Sequence, residues 1–236
     1  MTTFLAALLI FLGSLVQSSI GFGLAIVAAP LLFLLSPDYV PAPITAVALI
    51  LSVANAYRYR ASISLKGLGA AIAGRIPGSL AGGALLLWAD AKLLSLWLGA
   101  VVIIAVLVSL LPWKVTPTPG RMAVAGFLSG FMGTSTAIGG PPMALLLQHE
   151  KANLIRANLS AFFIVSCMLS LMVQVPIGRM GWHHLQLTLP LLPASLLGFW
   201  VATRWVDRIS NQHIRVISLV LCTVSGLAAV AVYWRT

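Results

Sequence analysis

Apolar residues run along this chain in eight long blocks separated by short polar breaks: Thr3–Leu35, Pro41–Arg60, Lys66–Trp88, Ala91–Leu111, Gly120–Gln148, Ala152–Pro176, Trp182–Arg204 and Gln212–Trp234. A helix needs about 20 apolar residues to cross the hydrocarbon core of a bilayer, so every block is long enough to span. The order of lengths, one long block followed by three ordinary ones, occurs twice. Between the two sets, Pro112–Pro119 holds three prolines, Lys114 and two threonines, a turn composition and a natural boundary. The pattern predicts an all-α integral membrane protein forming one transmembrane domain over residues 1–236. Its first repeat covers 3–111, the linker 112–119 and the second repeat 120–234.

The long block that opens each half would reach about 45 Å as a straight helix, well past the roughly 30 Å core. Near the middle of each lies a polar triplet followed by glycines, Gln17-Ser-Ser-Ile-Gly-Phe-Gly23 and Thr134-Ser-Thr-Ala-Ile-Gly-Gly140, aligned at an offset of 117 residues. At an offset of 116, Pro77, Ser79, Leu80 and Gly82 fall on Pro193, Ser195, Leu196 and Gly198. Such internal duplication is a common plan of membrane transporters. Irregular backbone at membrane depth is tolerated where protein buries it or a cavity lies beside it. We therefore expect a broken or re-entrant first helix in each half.

Composition sharpens this picture: of 236 residues 60% are apolar and 8% charged, and the mean hydropathy is +1.05. Soluble domains carry about 25% charged residues, so a soluble enzyme is excluded. The net charge of +10 is dispersed through short loops, which excludes a nucleic-acid partner and points to the bilayer. Loop charge also chooses a topology. If all eight blocks span, Lys and Arg divide almost evenly. If the two long blocks enter and leave on one face, Arg58, Arg60, Lys66, Lys114, Arg121, Lys151, Arg156, Arg204, Arg208 and Arg215 gather on one side, leaving Lys92, Arg179 and Arg235 opposite. Cytoplasmic loops collect basic residues, so the second arrangement is expected. Each half then makes three crossings, the repeats are inverted and the linker is cytoplasmic. Met1 to Gln17 has no basic leader region and is expected to remain as a membrane segment.

Arg75 is the one ionisable residue this reading places inside an apolar block, about 13 Å beyond Lys66 along a helix. Asp38, Asp90, Glu150 and Asp207 all fall at block ends, so no acidic residue can be assigned to it. A charge at that depth faces a cavity or a partner, and a planar guanidinium suits an oxyanion. The other reading is an arginine bonded to backbone carbonyls at a break before Pro77. Gln17, Ser18, Ser19, Thr134, Ser135 and Thr136, with Gly21, Gly23, Gly139 and Gly140, offer hydroxyls, an amide and open N–H groups near helix breaks. They serve either as substrate contacts or as ordinary helix–helix packing. Asn55 and Asn158, in the second helix of each half, are weaker candidates for the same cavity. Ala70, Gly74, Gly78 and Gly82 form a small-residue stripe expected to pack another helix. His149, His183, His184 and His213 lie near block ends, and Cys167 and Cys222 have no ligand spacing. No metal or cofactor is implied.

Two four-segment halves, with Ile20-Gly-Phe-Gly23 before Pro30 and Ile138-Gly-Gly-Pro-Pro142, resemble the TauE/SafE family of sulfite exporter-like permeases. The resemblance covers nearly the whole chain. It implies a multi-pass protein of a bacterial inner membrane that moves small sulfur-containing anions such as sulfite or sulfoacetate, with the glycine breaks facing the pore. An intramembrane enzyme is the alternative from another class, but Gly133-Thr-Ser-Thr136 is no serine-protease motif and neither HExxH nor paired membrane aspartates occur. A non-transporting accessory subunit is a third. The sequence leaves homo-oligomerisation open. Without an intramembrane carboxylate, neither an Asp/Glu proton relay nor a carboxylate sodium site is expected.

Overall fold

A computed structural model describes residues 2–64, 67–110 and 115–205, without the side chains of 108–110 and 205. The expected segment Gln212–Trp234, with His213 and Cys222, lies outside the described residues, as do Lys66, Lys114, Asp207, Arg208, Arg215 and Arg235. The described elements are helical: α1 (Thr2–Ile20), α2 (Leu24–Leu35), α3 (Ala42–Arg58), α4 (Leu68–Trp88), α5 (Ala91–Leu110), α6 (Pro119–Thr136), α7 (Gly140–Leu147), α8 (Ala152–Gln174), α9 (Trp182–Thr188) and α10 (Leu191–Trp205). Short 3-10 turns occupy Pro37–Tyr39 and Arg60–Ser62. Among the described residues five stretches are long and apolar enough to cross a membrane: Thr2–Ile20, Pro37–Arg58, Leu68–Trp88, Ala152–Gln174 and Trp182–Arg204.

Both long blocks are broken where the polar triplets meet glycines. Between α1 and α2 the chain turns through Gly21 at φ 98° and Gly23 at φ 125°, conformations that cost an L side chain dearly. The Gln17 side chain bridges the turn, its Oε1 accepting the Leu24 N–H at 3.3 Å. A Cβ on Gly13 would come within 2.7 Å of the Leu24 carbonyl, so α2 doubles back along α1. Between α6 and α7, Ala137 takes φ 67° and its N–H closes onto the Gly133 carbonyl at 2.9 Å. Thr136 Oγ1 accepts the Ile138 N–H at 3.2 Å, and Gly139 returns beside Ser129 of α6.

The expected small-residue stripe packs α4 against α6 at backbone contact. Cβ atoms on Gly74, Gly78 or Gly126 would overlap the carbonyl oxygens of Ala123, Phe127 and Ala71 respectively. With no difference in apolarity between lipid and side chain to drive association, such close packing is what holds membrane helices together. α1 pairs with α10 in the same manner: a Cβ on Gly198 would lie 2.5 Å from the Phe11 carbonyl, and Ser14 Oγ donates to Ser195 Oγ at 3.1 Å. α3 lies against α8.

The block Trp182–Arg204 is divided into α9 and α10 at Leu189-Pro190, where Pro190 has no N–H to continue the ladder. Two expectations need correction. α4, by contrast, runs unbroken through Pro77, so Arg75 does not sit at a helix break. Further, Arg156, counted among the loop charges, is buried: its Nε donates to the Ser19 carbonyl at 2.7 Å and its Nη1 to Asn153 Oδ1 at 3.1 Å.

Candidate functional site

The two breaks meet. Phe22 of the first lies against Gly140 of the second, where an added Cβ would stand 3.1 Å from the Phe22 Cβ. Beside this junction α4 delivers Arg75, which is 3% exposed and about 10 Å along the helix from Leu68. Its Nη1 donates to Ser129 Oγ at 2.7 Å, and its Nη2 donates to Ser170 Oγ at 3.0 Å and to the Ser166 carbonyl at 3.2 Å. Every one of these partners is neutral, so the guanidinium is held in place without being neutralised. Among the described residues its Nε has no partner, and neither does the buried hydroxyl of Ser166. The Phe162 ring lies 5.7 Å from the guanidinium carbon.

Glycine makes room for this side chain. Cβ atoms on Gly133 and Gly139 would stand 2.8 and 3.0 Å from its terminal nitrogens, so either side chain would push the guanidinium out of place. The bare backbone of the α6 end and of the second break therefore forms one wall of the arginine's slot.

A cavity of ≈ 40 Å³ opens beside Arg75. A water needs about 10–15 Å³ on this measure, so there is room for about three, or for one small oxyanion. Gln17, Gly23, Ala25 and Ile26 line it from the first break, and Ala137, Ile138, Gly139 and Gly140 from the second. α3 supplies Thr45 and Ala48, and α8 supplies Phe163, Ser166, Cys167 and Ser170. The first turn of α2 faces this space through Ala25 and Ile26, and the positive end of a helix favours negative charge there.

Of the residues singled out in the sequence, Arg75, Gln17, Gly23, Gly139 and Gly140 line this cavity. The others lie outside its lining. Ser18 Oγ accepts from Asn55 Nδ2 at 3.1 Å, Ser19 holds Arg156 through its carbonyl, and Gly21 packs on Leu159 and Arg156. Thr134 shares a hydrogen bond with Ser170 at 2.9 Å, Ser135 Oγ accepts the Trp97 indole N–H at 2.9 Å, and Thr136 caps the second break. Asn158 Oδ1 accepts the Ser64 N–H at 2.8 Å and so fastens the α3–α4 turn. Sequence reasoning missed the α8 wall, although Phe163, Ser166, Cys167 and Ser170 stand three or four residues apart and so share one helical face. Among the described residues no group of three or more His, Cys, Asp or Glu gathers that could hold a metal ion.

The profile of the sulfite exporters TauE/SafE matches residues 6–229, nearly the whole chain. The chain belongs to the TauE/SafE family. No curated protein and no solved structure matches it. TauE/SafE proteins are transporters rather than enzymes, and membership makes this chain a multi-pass membrane protein. In this TauE/SafE chain both glycine breaks and the buried arginine converge on one cavity.

Proposed function

We propose that this protein exports a small sulfur-containing anion, sulfite ahead of the larger sulfoacetate, by alternating access at the cavity between the two broken helices. Arg75 carries the reading: a buried positive charge beside a cavity, bonded only to neutral oxygens and with Nε unused, lacks the negative charge that an anion would bring. The ≈ 40 Å³ of space ranks the smaller anion first. Gln17, Gly23, Gly139, Gly140 and the Ser166 hydroxyl are the polar groups placed to join Arg75 at the substrate. Ser18, Ser19, Gly21, Asn55, Thr134, Ser135, Thr136 and Asn158 support the breaks around it.

The repeats 3–111 and 120–234 are read as inverted copies in a bacterial inner membrane. Two contacts support the inversion: Arg156, near the start of α8, reaches Ser19 at the end of α1 and lies 5.7 Å from the Tyr59 ring at the end of α3. α8 therefore runs against α1 and α3. The α3–α8 pair sits between two tight pairs, α4–α6 and α1–α10, each built of one helix from either repeat. Export of an anion would be favoured by an inside-negative potential, by about 2.3 kcal/mol per charge per 100 mV.

The test is flux of sulfite, sulfoacetate, taurine and sulfate in proteoliposomes. A hydrogen bond to a charged group contributes about 1.5–3 kcal/mol, so Arg75→Ala is expected to lower sulfite flux at subsaturating concentration by about 10- to 100-fold, with only weak recovery in Arg75→Lys. Undiminished sulfite flux in folded Arg75→Ala would make the arginine structural. No flux of any of the four anions would overturn the substrate reading.

A further inference from the structure

Where α1, α3 and α10 meet, five polar side chains are buried together, each at most 2% exposed: Ser14, Ser18, Ser52, Asn55 and Ser195. Ser14 and Ser195 are joined by a hydrogen bond of 3.1 Å, and Asn55 Nδ2 donates to Ser18 Oγ at 3.1 Å and to the Leu51 carbonyl at 3.0 Å. Two oxygens are left over. Among the described residues, Ser52 Oγ and Asn55 Oδ1 are buried without a partner. Like Ser79 and Ser166, and unlike Ser19, Thr45, Ser135 and Ser160, which each donate to the carbonyl four residues earlier, Ser52 leaves its hydroxyl unused among the described residues. Ser52 and Asn55 stand three residues apart and so share a face of α3, while Ser14 and Ser18 share a face of α1.

The second half shows what such a junction can hold. There α4, α6 and α8 meet, and Thr134 pairs with Ser170 at 2.9 Å as Ser18 pairs with Asn55. In that junction a positive charge, the Arg75 guanidinium, sits among the hydroxyls of Ser129 and Ser170. At the repeat offset of 116 residues Ser79 corresponds to Ser195, but Arg75 corresponds to Leu191. The first junction thus keeps its oxygens, and the buried Arg156 guanidinium beside it bonds the Ser19 carbonyl and Asn153 Oδ1 rather than these side chains.

We propose that the α1–α3–α10 junction binds a dehydrated monovalent cation of the size of Na⁺, through Ser52 Oγ and Asn55 Oδ1 with the hydroxyls of Ser14, Ser18 and Ser195 completing its shell. Hard cations take oxygen ligands, and divalent ones demand carboxylates, which this junction lacks. Ser52 is one turn beyond Ala48, which lines the anion cavity, so the bound cation adds positive potential to that cavity. Cation and anion then raise each other's affinity, as linkage requires. The site stands without the transport reading; only this coupling rests on it.

The experiment is equilibrium binding of radioactive Na⁺ to the full chain in detergent, with no anion substrate present. Saturable binding is expected, displaced by unlabelled Na⁺ but not by N-methylglucamine. Ser52→Ala removes a hydroxyl that bonds nothing among the described residues, so folding is expected to be spared, and affinity is expected to fall by about tenfold. Asn55→Ala is the second variant, with the same expectation. A thermal scan separates a cation from trapped water: Na⁺ in place of N-methylglucamine raises the wild-type midpoint and leaves Ser52→Ala unmoved. Absence of saturable binding, or binding unchanged in both variants, would overturn the proposal. Neither result touches the Arg75 flux test, so failure here and failure of the transport reading are told apart.

Discussion

Ala137 holds φ 67°, a conformation that glycine adopts at no steric cost and an L residue reaches at about 1–2 kcal/mol. Ala137→Gly relieves that strain but adds freedom to the unfolded chain, so a net gain of at most about 1 kcal/mol is expected, read as a raised thermal midpoint in detergent. At the same scale Arg75 was legible in the sequence because a lone charge inside an apolar block has few bland explanations. Gly133 and Ser129 were not, since a glycine or a serine in a membrane helix is ordinary until the side chain it makes room for, or bonds to, is known. Arg156 misled for the opposite reason. Standing five residues into its block, it counted as a loop charge, whereas the end of α1 comes down on it and takes its Nε–H.

Elements broke where local chemistry is strong and were misjudged where neighbours decide. Polar triplets followed by glycines announced both breaks: in the first, Gly21 and Gly23 open φ values that end a helix, in the second Ala137 takes the left-handed turn and the glycines admit close packing, and Gln17 or Thr136 caps the freed N–H. Pro77 and Pro190 look alike in sequence, yet α4 continues through one and the chain divides at the other. Proline removes a hydrogen bond in both places, and tight packing of α4 on α6 keeps the helix together in the first. That packing is testable with two glycines of one helix. A side chain at Gly78 overlaps the Phe127 carbonyl, whereas a Cβ at Gly69 meets nothing within 4 Å. Gly78→Leu is expected to abolish folded monodisperse protein by size-exclusion chromatography, while Gly69→Ala leaves yield and thermal midpoint unchanged within error.

At the scale of the whole molecule, the distribution of Lys and Arg predicts which face each loop occupies. In a chain with Cys167 and Cys222 replaced by alanine, Thr116→Cys is expected to react with an impermeant maleimide only from the cytoplasmic face, and His183→Cys only from the opposite face. Labelling of both from one side would overturn the inverted arrangement. The charge count could suggest this because short loops carry nearly all the charge. It could not suggest which helices pair, since α4–α6 and α1–α10 join helices far apart in the chain and mutual fit alone selects them. Their glycine contacts have a mechanical consequence. Backbones seated carbonyl against glycine cannot slide without collision, so each pair is a stiff beam rather than a sliding joint. The proposed alternating-access stroke would then pivot elsewhere, and the α3–α8 seam, which has no glycine in either helix and flanks the cavity, is the place left for its hinge.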